Sequence, residues 1–310
     1  MPAIALPPGV TLLERGWLSS NGLLLQDPRG AGPAALVDSG YCTHAAQTVA
    51  LVRHALGGAP LQWLLNTHLH SDHCGGNAAL QQAWPALRTA IPPGQAGPVR
   101  AWDEEALGYV PTGQRCMRFG FDALLRPGME IALGAGRWQV HAAPGHDPHA
   151  VLLFEPAWRL LVAGDALWQN GFGVVFPELE GDAAFAAVGA SLDLIERLAP
   201  AVVIPGHGGA FDDVGPALAR ARRRLDGFVA APRRHAHYAA KVLLKFKLLE
   251  LQRVAEAELL AWAARTRYLQ LLHARHFADA GDLPAWTAQL VEDLLRSGAA
   301  AREGPLLLDR

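Results

Sequence analysis

The segment Asn66–Gly76 holds three histidines and one aspartate within a few residues, and it constrains the fold more than any other part of the chain. These four residues are His68, His70, Asp72 and His73. The apolar run Leu61–Leu65 before them predicts a strand, and the residues after Gly76 predict a helix. A strand-to-helix turn brings together side chains that a regular strand would separate. Because imidazole and carboxylate together suit zinc, iron or manganese, the turn predicts a metal site.

Three further candidate ligands stand at the ends of later strand-like runs. They are His146, Asp165 and His207, and each directly follows a glycine. Glycine permits the tight backbone path that turns a side chain towards a shared centre. Taken singly, each residue is more typical of an ordinary turn. A solvated, histidine-rich loop is the alternative for the first turn, but surface loops rarely cluster imidazoles at this spacing.

The ordered set of histidines and aspartates resembles the metallo-β-lactamase superfamily over residues 1–213. Residues 68–73 match its HxHxDH signature, and the later Gly-His, Gly-Asp and Gly-His pairs follow in the family's order. The resemblance implies an α/β fold, an αββα sandwich with two divalent metal ions at one edge. Zinc is the first candidate, with iron and manganese as alternatives. It further implies that one ion is held by His68, His70 and His146, the other by Asp72, His73 and His207, with Asp165 bridging both.

Asp165 also narrows the branch of the superfamily. In the family, true β-lactamases lack an aspartate at this position, whereas glyoxalase-II-like thioesterases and acyl-homoserine-lactonase-like enzymes have one. The iron flavoproteins of the family carry glutamate where this chain has His70. The resemblance therefore implies hydrolysis of a thioester, a lactone or a related ester. A phosphodiesterase or nuclease, a single-iron persulfide dioxygenase and residual β-lactamase activity remain alternatives.

The expected chemistry follows from the two ions. Divalent cations lower the pKa of a bound water towards ~7, so a hydroxide nucleophile exists at neutral pH without a protein base. Asp72 and Asp165 are the predicted catalytic residues, because they would orient this nucleophile and accept its proton. Thiolates and ring alkoxides leave more readily than amines, which favours thioesters and lactones. Asp38, after the strand Ala35–Val37, resembles the family's carboxylate that supports the metal ligands, with a turn or capping role as the alternative.

Four side chains near the ligands are candidates for contact with the substrate. They are Trp168, Phe172, Phe176 and His149. Trp168 stands where similar lactonases commonly carry tyrosine, so it either lines an apolar pocket or fills the core. His149 stands where related sequences carry a small residue. It donates to a substrate oxygen, supports a metal ligand by a hydrogen bond, or lies exposed in the loop. The basic signature with which glyoxalase II binds glutathione is not recognisable here.

Composition favours a soluble enzyme that acts on a small acyl substrate. The net charge of −2 gives no field that would attract nucleic acid, and no apolar run approaches the roughly 20 residues that span a bilayer. No basic-then-apolar leader is found, so a cytoplasmic location is expected. Cys42, Cys74 and Cys116 form no CxxC pair. Cys74 is expected to be a small buried residue at the start of a helix, with a metal ligand or a redox-sensitive thiol as the alternatives.

Apolar patterning predicts a catalytic domain over residues 1–213 with two sets of strands. The predicted strands are Val10–Leu13, Gly22–Gln26, Ala35–Val37, Leu61–Leu65, Trp138–Ala142, Val151–Phe154, Leu160–Ala163 and Val202–Ile204. Helices are predicted near Thr43–Leu56 and, from three- and four-residue apolar steps, near Phe185–Leu198. Residues 92–128 are rich in proline and show little periodicity, so they predict a long connection of the kind that often forms a substrate-facing loop.

Residues 214–310 are predicted to form a mostly helical domain. Between Pro216 and Ala278, thirteen Lys or Arg stand against four Asp or Glu, and Lys241–Leu251 predicts a basic amphipathic helix. A helix near Pro284–Leu295, followed by strand-like residues at Arg302–Leu308, resembles a degenerate winged helix. Nucleic-acid binding is disfavoured because the candidate recognition helix is net acidic. Packing against the catalytic domain, formation of a homodimer and shaping of the substrate pocket are the alternatives.

Overall fold

The computed structural model describes residues 4–310, which divide into two units. The first unit contains the residues up to Leu107 together with Arg115–Asp226, and the second contains Gly108–Gln114 together with Gly227–Arg310. The division therefore falls inside a helix, whereas the sequence predicts it at residue 213, where the composition changes. Helical hydrogen bonds are local, so the composition at the start of a helix does not reveal which unit its far end joins.

The first unit contains two sheets. The strands of the first sheet are β1 (Val10–Leu13), β2 (Gly22–Leu25), β3 (Ala35–Val37), β4 (Trp63–Leu65), β5 (Arg88–Ile91) and β6 (Ala123–Leu124), which pair in that order. Those of the second are β7 (Glu130–Leu133), β8 (Gly136–Ala142), β9 (Val151–Glu155), β10 (Leu160–Gly164) and β11 (Val202–Pro205), in the order β11-β10-β9-β8-β7. The pairs from β3 to β6 and the pair β10/β11 are parallel, and the others are antiparallel.

Both units contain helices. In chain order they are α1 (Ala45–Leu56), α2 (Ser71–Cys74), α3 (Asn77–Ala83), α4 (Ala96–Ala101), α5 (Tyr109–Thr112), α6 (Phe176–Glu180), α7 (Phe185–Leu198), α8 (Val214–Ala230), α9 (Pro232–Leu251), α10 (Glu256–Arg265), α11 (Arg267–Leu272) and α12 (Leu283–Arg296). Short 3₁₀ turns lie at Cys42–His44 and Pro93–Gln95, and a π-helical turn lies at His273–Phe277. The boundary between the units lies within α8.

Strand periodicity explains how the layers pack. Leu23 and Leu25 of β2 belong to one buried cluster with Val140 of β8, so the two sheets face each other across an apolar core. Leu24 between them points the other way and packs in a second cluster with Val52 of α1. Because alternate residues of a strand point to opposite faces, two layers can be buried at once. The predicted α/β sandwich is confirmed.

Residues 92–128 are more regular than the sequence predicts. The helices α4 and α5 and the strand β6 lie in this segment. Each has six residues or fewer, too short for a periodic apolar pattern to appear in the sequence. The predicted long connection therefore contains short regular elements, and its central part, Gly108–Gln114, belongs to the second unit.

The second unit is mostly helical, as predicted, and it also contains a three-stranded sheet. Its strands are β12 (Arg253–Ala255), β13 (Ala300–Glu303) and β14 (Leu306–Asp309), in the order β12-β14-β13. The pair β13/β14 is the strand pair that the sequence suggests near its C-terminus, and β12 adds a third strand. None of the described helices combines the length and the apolar character that crossing a bilayer requires.

Candidate metal centre

The seven predicted ligands come together in the first unit. Asp72 and His73 lie in the short helix α2, and the others lie in the segments that follow β4 (His68 and His70), β8 (His146), β10 (Asp165) and β11 (His207). Their ligand atoms form three groups, each with all its atoms within 4.8 Å of one another: His68, His70 and His146; His68, His73 and Asp165; and Asp72, His73 and His207. The parallel pairing of β10 with β11 contributes to this convergence, because their carboxyl ends point the same way.

Asp165 lies between two of these groups. Its Oδ1 is 3.4 Å from Nε2 of His73, and its Oδ2 is 3.4 Å from Nε2 of His146. The same Oδ2 is 3.9 Å from Nε2 of His207. On the far side, Nε2 of His207 is 3.1 Å from Oδ2 of Asp72. The carboxylate of Asp165 therefore lies between His146 on one side and His73 and His207 on the other.

Hydrogen bonds on the outer ring nitrogens orient two of the histidines. Nδ1 of His73 is 2.8 Å from Oδ2 of Asp38, and Nδ1 of His146 is 2.5 Å from the carbonyl oxygen of Val174. Each ring then directs its Nε2 towards the cluster. Within residues 4–310 these two Nε2 atoms are buried without a hydrogen-bond partner. Buried polar atoms are normally satisfied, so nitrogens aimed at a common centre fit a metal ion.

Asp38 is held in an uncommon backbone conformation. Its φ of 59° lies in the left-handed region, which costs a non-glycine residue free energy. The carboxylate accepts hydrogen bonds from the backbone N–H of Thr67 at 2.9 Å and from the Thr67 hydroxyl at 2.8 Å. Asp38 therefore contacts both Thr67 and His73 in the segment that carries four candidate ligands. These contacts fit the supporting role that the sequence suggests for this carboxylate.

The electrostatics of the cluster differ from one histidine to the next. Burial, together with the neighbouring His70, lowers the pKa of His146 to about 4. Burial and adjacent histidines likewise hold the pKa of His68 well below its usual value. Burial opposes protonation of His73 too, but the surrounding carboxylates, that of Asp165 first, raise its pKa well above the usual value. The cluster therefore combines two imidazoles that favour the neutral form, His68 and His146, with a third, His73, whose positive charge the carboxylates favour.

Two glycines leave the space that the ligands occupy. A Cβ on Gly206 would lie 2.2 Å from Oδ1 of Asp165 and 2.8 Å from Cε1 of His73. A Cβ on Gly173 would lie 2.3 Å from Nδ1 of His146. Close approach, more than backbone flexibility, therefore explains why glycine precedes His207 in this chain.

The four candidate substrate residues occupy different surroundings. The indole N–H of Trp168 donates to Oδ1 of Asp165 at 3.1 Å, so this side chain contacts the ligand set directly. The ring of Phe176 lies 5.1 Å from that of His70 and 5.8 Å from that of His146. Both of these aromatic side chains therefore border the cluster.

The other two candidates are a core residue and a loop residue. Phe172 is 1% exposed and packs beneath the guanidinium of Arg224. His149 is exposed, and its ring lies against Gly94, where an added Cβ would come within 2.1 Å of Nδ1. The structure thus brings Trp168 and Phe176 to the ligands, whereas Phe172 fills the core and His149 packs on the turn at Gly94.

Sequence reasoning missed two residues beside the cluster. Asp147 is 3% exposed, with Oδ2 3.7 Å from Nε2 of His70, and its position directly after His146 was a usable signal. Trp17 stacks on the ring of His207 with a centroid distance of 5.4 Å and an interplanar angle of 9°. No local pattern distinguishes Trp17, because its partner stands at the other end of the unit in sequence.

Comparison with known proteins matches the first unit to one family. Residues 15–207 match the family described as Metallo-beta-lactamase superfamily. The hydroxyacylglutathione hydrolase of Anaeromyxobacter dehalogenans is 37% identical over 142 residues, or 46% of this chain and 45% of that protein. That of Acaryochloris marina is 33% identical over 158 residues, or 49% and 52%. The chain spans about half the length of the curated relatives it matches.

Solved structures extend the likeness. The metallo-beta-lactamase family protein TTHA1429 from Thermus thermophilus has a TM-score of 0.56 and 25% identity, covering 99% of this chain and 100% of that one. TTHA1623, solved in a di-iron-bound form, has a TM-score of 0.51 and 27% identity, covering 68% of this chain and 98% of that one. The first likeness includes the helical C-terminal part, whereas the second covers about the length of the first unit.

Proposed function

Because the chain belongs to the metallo-β-lactamase superfamily, we propose that it is a metal-dependent hydrolase that cleaves a thioester or a related ester with two divalent cations. The observation that carries the proposal is Asp165, whose two oxygens each lie 3.4 Å from a different histidine. A carboxylate between two sets of imidazoles suits a two-metal site. Relatives named hydroxyacylglutathione hydrolase support a thioester as the substrate.

The ligand groups suggest how the cations would be held. His68, His70 and His146 would hold one cation, and Asp72, His73 and His207 would hold the other, with Asp165 between them. Imidazole and carboxylate ligands make zinc the first expectation. Iron and manganese suit the same donors, and iron is supported by the similar protein that was solved in a di-iron-bound form.

The mechanism needs little acid–base chemistry from the protein. When bound, two divalent cations lower the pKa of a coordinated water towards ~7 and so supply hydroxide at neutral pH. Trp168 fixes the orientation of Asp165 through its indole N–H. Asp72 and His70 are the half-buried members of the set, so they face the accessible side of the cluster. Asp72 would orient the nucleophile there and accept its proton, and a thiolate would leave without a general acid.

A phosphodiesterase or nuclease could use the same ligands, but two of the three lysines of the predicted basic helix do not support it. Lys245 of the basic helix pairs with Asp309, and Lys247 pairs with Glu250 at 2.7 Å. The two lysine side chains are 21% and 16% exposed. Cations that already pair within the protein contribute little to the counterion release that drives binding to nucleic acid.

Metal analysis beside a hydrolysis panel tests the proposal. The purified protein should contain about two divalent ions per chain and should hydrolyse thioesters or lactones faster than phosphodiesters or a β-lactam. His70→Ala should lose both the full metal content and the turnover. The proposal fails if His70→Ala keeps two ions and full thioesterase activity. About one iron per chain, with oxidation of a persulfide, would instead favour the dioxygenase alternative.

A further inference from the structure

An exposed tryptophan stands beside the ligand cluster. Trp17 lies in the turn between β1 and β2 and has 56% of its surface exposed. One face of its indole stacks on His207. The rings of Trp17 and Trp168 make a T-shaped contact, with centroids 5.4 Å apart and planes at 72°. Trp17 and Trp168 therefore form two walls at a steep angle, here called the aromatic corner, with His207 at its base.

The turn that carries Trp17 is firmly anchored. Asn21 donates its side-chain N–H groups to the carbonyl oxygens of Pro205, at 3.0 Å, and Gly208, at 2.7 Å. The backbone N–H of Ser20 donates to the carbonyl oxygen of Asp72 at 2.9 Å. The next residues along the turn, Leu18 to Asn21, are all 4% exposed or less. The exposed indole is thus the outward part of a buried, hydrogen-bonded segment, held at a fixed position relative to two ligand turns.

An exposed indole at this position is better suited to binding than to packing. A tryptophan that only filled the core would be largely buried, as Trp138 is at 0%. Trp17 covers His207 with one face and leaves much of its surface to solvent. Burial of apolar surface is favourable, and aromatic rings favour edge-to-face or offset contacts. Two indoles at a steep angle offer both contacts to one flat group.

We propose that the aromatic corner binds a flat, apolar group of the substrate, such as a phenyl ring, next to the bond that is cleaved. This inference rests on the proposed hydrolase function and deepens it, because it names the class of thioester or ester that the site prefers. Trp17 is a specificity-determining residue in this view. Trp168 has a second role, because its N–H also positions Asp165.

Two matched substrate series test the inference. The first compares phenylacetyl with acetyl thioesters of one aliphatic thiol, so that only the acyl group changes. The second compares acetyl thioesters of benzyl mercaptan and ethanethiol, so that only the leaving group changes. The metal-loaded wild type should favour the aromatic member of one series by about tenfold or more in kcat/KM. A preference in the first series would place the acyl group in the aromatic corner, and a preference in the second would place the leaving group there.

Variants assign the preference to Trp17. Trp17→Ala should remove it mainly by raising KM for the aromatic member, so that the ratio of kcat/KM between the two members of the series falls towards one while the metal content is retained. Trp17→Phe should retain most of the preference. Met129→Ala, which removes an exposed apolar side chain (40%) beside the edge strand β7, should behave as the wild type.

Several results would overturn the inference. One is a wild type without aromatic preference in either series, and another is a Trp17→Ala variant that keeps the preference. A uniform loss of activity together with lost metal would show that Trp17 only shields His207. If the wild type hydrolyses neither these series nor the other esters and lactones of the hydrolysis panel, the proposed function fails, yet calorimetric titration still tests the corner. Phenylacetate should then bind the wild type more tightly than acetate does, and Trp17→Ala should abolish that difference.

Discussion

A buried cluster of the first unit and an exposed ion pair of the second use aspartate in opposite ways. In the first unit, Asp38, Asp165 and His73 meet with exposures of 6% or less. In the second, Arg233 pairs with Asp279 while 52% and 67% of the two side chains stay exposed. Burying a charge costs several kcal/mol unless it is paired or coordinates a metal, whereas a solvated pair contributes little. Burial, and not the number of charged residues, therefore distinguishes the candidate metal site from an ordinary ion pair on the surface.

The largest expected effect is removal of a buried ligand. His146→Ala should reduce hydrolysis by about two to three orders of magnitude, because a bound metal supplies several kcal/mol of transition-state stabilisation. Steady-state kinetics with metal analysis measures both losses. His54→Ala, which removes an exposed histidine from α1, is the matched control and should change neither. Equal activities of the two variants would contradict the contrast between buried and exposed histidines.

Removal of the buried supporting carboxylate should have the next largest effect. Asp38→Asn leaves all seven candidate ligands in place. It removes the negative charge of the carboxylate that accepts a hydrogen bond from the Thr67 hydroxyl and whose Oδ2 lies 2.8 Å from Nδ1 of His73. Such supporting groups change metal affinity or activity by about 10- to 100-fold. Competition with a chelating dye measures the affinity. An unchanged dissociation constant would show that Asp38 is only a turn residue.

A smaller effect is expected at Trp168. Trp168→Phe keeps an aromatic ring but removes the N–H that donates to Asp165. A hydrogen bond to a charged group contributes about 1.5 kcal/mol or more, so kcat should fall by roughly tenfold. Unlike Trp17→Ala, this variant should slow aromatic and small substrates equally. A selective loss of aromatic substrates would mean that the ring, and not the N–H, is the important part.

The metal-free protein should lose stability as the pH falls. Folded His146 has a pKa of about 4 and takes its proton only there, whereas an unfolded imidazole does so near its ordinary pKa of 6.5. The unfolded state then binds more protons between these values, so the free energy of unfolding decreases over this window. His68 acts in the same direction, and the stabilisation from the raised pKa of His73 is already complete below 6.5. Urea titrations at several pH values measure the change; a flat profile in this window, or one that His146→Gln leaves unaltered, would contradict it.

The smallest effect is expected for the exposed pair of the second unit. Asp279→Asn is the counterpart of Asp38→Asn, and it should leave the metal content, the activity and the melting temperature unchanged, because solvent already screens the pair with Arg233. Thermal melts of the metal-loaded protein provide the comparison. A clear drop in melting temperature would show that exposed pairs matter more here than their solvation suggests.

Regular elements with strong apolar patterns were predictable from the sequence. The helix predicted near Phe185–Leu198 has those bounds, and the helix predicted from Thr43 begins at Ala45 after a 3₁₀ turn. The helix α4 and the strand β6 were missed, because fewer than two helical turns show no apolar period and two residues form no apolar run. For the same reason, the sequence did not reveal that Gly108–Gln114 belongs to the second unit.

By itself, the sequence determined which residues are candidate ligands, because histidine and aspartate that follow glycine at strand ends have the side-chain chemistry of metal ligands. Tertiary structure alone decided what surrounds those ligands. The pairing of β1 with β2 and the hydrogen bonds of Asn21 bring the Trp17 turn to residues 184 positions away in the chain. Packing alone decided that His149 faces Gly94 and that Trp168 reaches Asp165. Such contacts depend on the relative positions of distant strands, which no local pattern encodes.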